Sequence, residues 1–251
     1  MGSGGDAGLN GLDDPCQKII TENLKAKALL NQTVIANQNT AMKAGISTST
    51  IEKAFTFGKD ATGNYAVSNI INGDPSGAAV SMPATNPNFT TEGGIHDHST
   101  ETYDVPSPGD IYWFWKVHNQ NPNFNYYYTN GANTGAEYVY TITNPADFAN
   151  FTSAYPELTY FSMETHGWNT LESIGIDFKN CYEYFFDILG KPDEESMELA
   201  TALVIGKYNI GIGVSKKDNS GNFQSIFVKE LPDPSDPSKK IYQLTNECNL
   251  K

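Results

Sequence analysis

A chain of 251 residues with 39 % hydrophobic content, including 14 Tyr, 13 Phe and 3 Trp, can bury one good-sized core or two small ones and is not composed like a disordered segment. The formal net charge is −13 and all 16 basic residues are Lys; phosphate backbones recruit clustered positive charge and Arg forks, so nucleic acid and anionic membrane surfaces are excluded as partners. No apolar run approaches the ~20 residues that cross a bilayer, and no secretory h-region is read at the start.

Residues 1–14, beginning Met1-Gly2-Ser3-Gly4-Gly5, read as a linker or leader, with room for a native signal or a larger parent protein ahead of it. Asp13-Asp14-Pro15 then starts a helix expected over 15–43, with Ile19, Ile20, Leu24, Ala28, Val34 and Ile35 on its apolar stripe. This gives an N-terminal helical segment at 15–45 and a main domain at 46–251. The run Lys53 to Gly58 and the β-rich Tyr65 to Ile71 flank a turn at Asp60 to Asn64. A strand follows near Phe89 to His98. Ser107-Pro108-Gly109-Asp110 is a helix start, with Ser as cap, Pro at the first helical position and Asp closing a capping box. Trp113-Phe114-Trp115 on that helix reads as core packing.

Asn121 to Ala136 reads as a loop or insertion, with strands at Tyr126 to Tyr128 and Tyr138 to Ile142. Further helices are expected from Asn144, over Thr170 to Leu189 and over Asp193 to Ala202. The end of the chain turns to β: Tyr208 to Val214 and Gln224 to Val228 flank a hairpin turn at Asp218 to Asn222. A loop at Pro232 to Ser238 precedes a last strand at Ile241 to Leu244. The predicted fold is α+β, one mixed β-sheet flanked by helices with a C-terminal hairpin extension; a separate C-terminal subdomain is the alternative. Cys16, Cys181 and Cys248 are too sparse for a Cys-based zinc site and permit at most one intrachain disulfide.

The chemistry concentrates in Gly93-Gly94-Ile95-His96-Asp97-His98 and the helix start that follows. In an extended strand His96 and His98 project from one face. With Asp110 they supply two imidazoles and one carboxylate, a set that suits a catalytic Zn²⁺ keeping its fourth position for water. Asp97 points to the opposite face and reads as a solvent or supporting residue. Glu101 and Asp104 are alternative third ligands in the spacer, Glu92 is too near His96 along one strand, His118 reads as packing or surface, and His166 as a loop histidine.

Adding the upstream Glu52, the order Glu, His-x-His, Ser-x-x-Asp resembles the JAMM, or MPN-plus (JAB-like), zinc metalloprotease family over about residues 49–118, in a form seen in bacterial secreted or phage-tail-like proteins. Two departures are visible: Ser99 stands where the family usually has Pro, and the spacer from His98 to Ser107 is one residue longer, taken up by Thr100 to Pro106. The resemblance implies an MPN-like core and a zinc-dependent metallopeptidase that hydrolyses a peptide or isopeptide bond through a metal-activated water. It further implies His96, His98 and Asp110 as zinc ligands, Glu52 as general base, and Ser107 as hydrogen-bond donor to the oxyanion. Implied substrates are peptides, peptidoglycan cross-bridges or protein conjugates, in a secreted or cell-envelope setting. The rival from another class is a non-catalytic MPN-like binding or assembly module.

Overall fold

Asp14 caps the first helix, α1 (Pro15–Leu30), by accepting the Cys16 N–H on its carboxylate. The computed structural model describes residues 14–74 and 80–250, so the leader at 1–14 lies outside it but for Asp14. The helix expected over 15–43 is two helices, α1 and α2 (Thr33–Lys43). Gln32 adopts an extended backbone, which ends one helix and starts the next. The apolar stripe is also corrected: Ile20 and Leu24 are 55 % and 67 % exposed, whereas Ile19, Glu22, Asn23, Ala26, Leu29 and Leu30 face inward. Polar residues sit on the buried face because each finds a partner: Glu22 accepts the Tyr126 hydroxyl, and the Asn23 amide donates to Ser225 Oγ at 2.8 Å.

After a short turn at Ile46–Thr48 the sheet begins with β1 (Lys53–Lys59), β2 (Tyr65–Val67) and β3 (Ile71–Asn72), both of the latter antiparallel to β1. The β1–β2 turn is held by Asp60, whose carboxylate accepts the Thr62 and Asn64 N–H groups, while Gly63 supplies a left-handed backbone. β4 (Thr90–Asp97) lies antiparallel to β1, and α3 (Pro108–Gln120) then carries the chain over to β5 (Tyr126–Asn130), the parallel neighbour of β4. β6 (Glu137–Ile142), α4 (Pro145–Ala154), α5 (Glu157–Tyr160) and the two-residue strands β7 (Phe161–Ser162) and β8 (Gly167–Trp168) follow. Next come α6 (Ser173–Glu183), which runs into a π-helical turn at Tyr184–Ile188, and α7 (Asp193–Lys207). The chain closes with β9 (Ile212–Lys217), β10 (Phe223–Ser225), β11 (Phe227–Pro232) and β12 (Lys240–Thr245).

The fold is therefore α+β, with a mixed eight-stranded sheet in the order β10-β9-β6-β5-β4-β1-β2 and β3 beside β1. Its two faces carry separate cores. Phe55, Phe57, Ile95, Tyr128 and Val139 pack against α1 and α2, and Tyr127, Tyr138 and Tyr140 pack in the cluster that includes Phe114, Phe148, Leu199 and Leu203. β11 and β12 form their own two-stranded ribbon. The strand expected at 224–228 thus divides at Ile226, and the one expected from Tyr208 begins only at Ile212. Asn209 and Gly211 hold left-handed backbone between α7 and β9, which breaks extended structure there. α7 outruns its expected end because Leu199 to Gly206 are buried on all sides, leaving no polar face to mark a boundary. Among the described residues no helix is long and apolar enough to cross a membrane.

A disulfide joins Cys16 to Cys248 across 232 residues, and Cys181 remains a buried thiol. Closing so long a loop removes much unfolded-state entropy, about 5 kcal/mol in the chain-entropy treatment. Cys16→Ser is expected to lower the unfolding free energy by about 2–5 kcal/mol in urea titrations.

Candidate metal centre

The site forms where β4 ends and α3 begins, on the α3 side of the sheet. Two glycines let β4 lie flat there. A Cβ on Gly93 would come within 2.6 Å of the Phe57 ring and of the Tyr126 carbonyl oxygen, and one on Gly94 within 2.7 Å of Met82 Sδ. Two residues on, strand alternation turns His96 and His98 to one face, where they are 2 % and 4 % exposed with ring centroids 4.7 Å apart.

Asp110 arrives from the first turn of α3 through the capping box expected from sequence. The Ser107 hydroxyl accepts the Asp110 N–H at 3.2 Å, and Asp110 Oδ2 accepts the Ser107 N–H at 2.6 Å and the Ser107 hydroxyl hydrogen at 2.8 Å. The carboxylate is thereby aimed at the histidines. His96 Nε2 lies 3.3 Å from Asp110 Oδ1, and His98 Nε2 lies 3.3 Å from Oδ2.

The outer nitrogens settle what faces inward. His96 Nδ1 sits 3.1 Å from the Tyr128 carbonyl oxygen, and His98 Nδ1 bonds the Tyr103 carbonyl. Carbonyls only accept, so both Nδ1 atoms carry hydrogen, and in the neutral rings both Nε2 atoms turn lone pairs toward a carboxylate that also only accepts. His96 Nε2 is buried with no hydrogen-bond partner. Converging lone pairs repel unless a cation sits among them. A proton on His98 can be that cation: burial opposes charge on His98, but the hydrogen bond and charge of Asp110, with the charge of Glu52, push the imidazole up to about 9, so at neutral pH its Nε2 carries hydrogen toward Asp110. Burial likewise opposes charge on Asp110, and His96 and His98 hold it well below the usual carboxylate range.

The ligand atoms of His96, His98 and Asp110 lie within 4.8 Å of one another, and this buried group could hold a metal ion. The two 3.3 Å nitrogen–oxygen distances run to different oxygens of Asp110, so the carboxylate bridges the two rings. Two imidazoles and one carboxylate are a donor set that suits zinc among other divalent ions.

Glu52 lies just ahead of β1. Antiparallel register sets Ala54 opposite His96, so Glu52, two residues back on the same face, is level with His98. Its Oε2 accepts the Val80 N–H at 3.2 Å. It stands outside the group of three whose ligand atoms converge.

The remaining candidates go elsewhere. Asp97 is not a solvent residue: it is buried on the opposite face, where it accepts the Asn130 amide at 2.9 Å and burial pushes its carboxyl up. Asp104 is fully buried but accepts the Asn133 and Thr134 N–H groups, and Glu101 is exposed, so neither replaces Asp110. Glu92 pairs with Lys59 at 3.5 Å, and His118 Nδ1 meets the Phe124 carbonyl at 3.0 Å in the core. His166 sits exposed in the β7–β8 turn with a left-handed backbone.

One participant goes unmarked in the sequence. Tyr127 stacks on His96, with centroids 4.8 Å apart at 21°, and donates its hydroxyl to Asp110 Oδ1 at 2.9 Å. Burial and the Asp110 charge hold the phenol far above its usual pKa, so it stays a donor. The run Tyr126 to Tyr128 announces a strand, but only the pairing of Tyr127 with Gly94 brings it beside His96.

Two outcomes follow from this geometry. Gly93→Ala is expected to cost about 1–3 kcal/mol of stability by overpacking against Phe57 and the Tyr126 backbone, measured by denaturant unfolding. The protein is expected to bind about one equivalent of Zn²⁺, to melt at lower temperature after chelation, and to lose that difference in His96→Ala, since ligands from β4 and α3 link occupancy to folding; elemental analysis and calorimetry check both. Compared with known protein families, with curated proteins and with solved structures, the chain matches none.

Proposed function

We propose that the protein is a zinc-dependent hydrolase of JAMM type that cleaves a peptide or isopeptide bond. The observation that carries this reading is the buried convergence of His96, His98 and Asp110, with Glu52 just ahead of the neighbouring strand and level with His98. The unit β4–α3–β5 with β1 alongside would correspond to the MPN-like core. The two departures from the family pattern are compatible with it. Ser99 opens a hydrogen-bonded turn, its carbonyl accepting the Thr102 N–H at 3.2 Å, and the Thr100 N–H reaches the Ser49 carbonyl at 3.0 Å. The longer spacer is thus tied down without displacing Asp110 from its cap.

When bound, Zn²⁺ supplies Lewis acidity and a hydrolytic nucleophile at neutral pH. The chain's own residues do the rest. His96 and His98 present fixed Nε2 lone pairs because backbone carbonyls hold their other nitrogens. Glu52 accepts the proton that water gives up as its oxygen joins the carbonyl carbon, and returns that proton to the nitrogen leaving as the C–N bond breaks. Gln at this position could orient water but could not carry the proton.

A non-catalytic binding or assembly module is the second reading, and Ser107 favours it. Its single hydroxyl hydrogen is bonded to Asp110 Oδ2 at 2.8 Å, so it supports the ligand rather than facing a reacting oxyanion. The Cys16–Cys248 disulfide suits an oxidising compartment, which supports a secreted or cell-envelope setting. Peptides, peptidoglycan cross-bridges and Lys-linked protein conjugates share the scissile amide and are the substrate classes to test.

Glu52→Gln is expected to retain the metal and the fold while losing about 10²–10⁴-fold in turnover. The measurement is mass-spectrometric release of new amines from peptidoglycan fragments and Lys-isopeptide conjugates. Equal cleavage by both proteins removes Glu52 as the base; cleavage by neither, with zinc bound, selects the binding module.

A further inference from the structure

A carboxylate offers about four lone-pair positions, and three of those on Asp110 are already filled. The Ser107 N–H and hydroxyl occupy Oδ2 at 2.6 and 2.8 Å, and the Tyr127 hydroxyl occupies one position on Oδ1 at 2.9 Å. The remaining position is on Oδ1, the oxygen that faces His96 Nε2. We propose that Tyr127 is a positioning residue: with Oδ2 filled by Ser107, its hydroxyl leaves Asp110 one free lone pair on Oδ1 and fixes the direction in which that lone pair points toward a metal ion. The inference rests on the metal-site reading above and adds a residue that reading does not require.

Tyr127 is built for the task. Its ring is held between His96 at 4.8 Å, Trp113 at 5.0 Å and Phe114 at 5.7 Å, so the hydroxyl has no freedom to follow a shifting carboxylate. Stacking on one ligand while bonding another also couples their positions. Without the hydroxyl, Oδ1 has two free lone pairs and no partner to fix its direction, so Asp110 presents a less well oriented ligand atom.

Tyr127→Phe removes the hydroxyl and keeps the ring. Zinc affinity, by competition with a chromogenic chelator, is expected to fall roughly 10–100-fold, the usual range for loss of a group that orients a ligand. In the Co²⁺-loaded proteins the visible band of the wild type is expected to shift or weaken in the variant as Asp110 Oδ1 loses its fixed direction. Equal affinity and equal spectra in the two proteins overturn the proposal while leaving the metal site intact. A wild type that binds no metal overturns the site reading and this inference together. Should Tyr127→Phe fail to fold, a wild-type crystal structure with Zn²⁺ decides: one Asp110 oxygen on the ion with Tyr127 still bonded to Asp110 is required, and ligation through both oxygens overturns it.

Discussion

The Asp110 carboxylate is the point on which the site depends, because two demands of different origin meet there. A helix start leaves backbone N–H groups without partners, and the Ser107–Asp110 capping box answers that need locally. The same bonds fix the side chain's direction toward β4, where two buried imidazole nitrogens converge on it. Helix capping thus does for Asp110 what the Tyr128 and Tyr103 carbonyls do for the histidines. Each of the three side chains is oriented by a backbone contact on its far side, which costs little to maintain and survives side-chain motion elsewhere.

Sheet topology explains why these pieces meet. β4 and β5 are the sheet's parallel pair, and the crossover between them must pass over the sheet, so α3 starts above the carboxyl end of β4. Crevices outside the carboxyl ends of parallel strands are common places for sites in α/β sheets. Gly93 and Gly94 complete the arrangement by removing the side chains that would hold β4 away from Phe57, Tyr126 and Met82.

Much of this was legible from short-range signals. Alternation put His96 and His98 on one face, the Ser-Pro-Gly-Asp spacing marked the α3 start, and the Asp60 to Asn64 turn set β1 against β2. These are local rules, and they held where local energetics dominate. They failed where tertiary contacts decide. Glu22 and Asn23 face inward because Tyr126 and Ser225 satisfy them, so of the apolar stripe expected on α1 only Ile19 faces in, while Ile20, Leu24 and Ala28 face out. α7 is enclosed on all sides and shows no periodicity. Tyr127 carried no signal, since its role depends on a pairing register between strands separated by a helix. Three cysteines allow one disulfide, but they do not reveal that it joins Cys16 to Cys248.

The two ends of the main sheet have a consequence of a different kind. Its terminal strands, β10 and β2, are three residues each. A long free edge would offer a row of unpaired N–H and C=O groups to any passing chain. Edges this short give a foreign strand almost no template, and the hairpin turns at Asp60 and Asp218 place charge beside them. The eight-stranded sheet therefore ends on both sides in strands too short to template the addition of a neighbour.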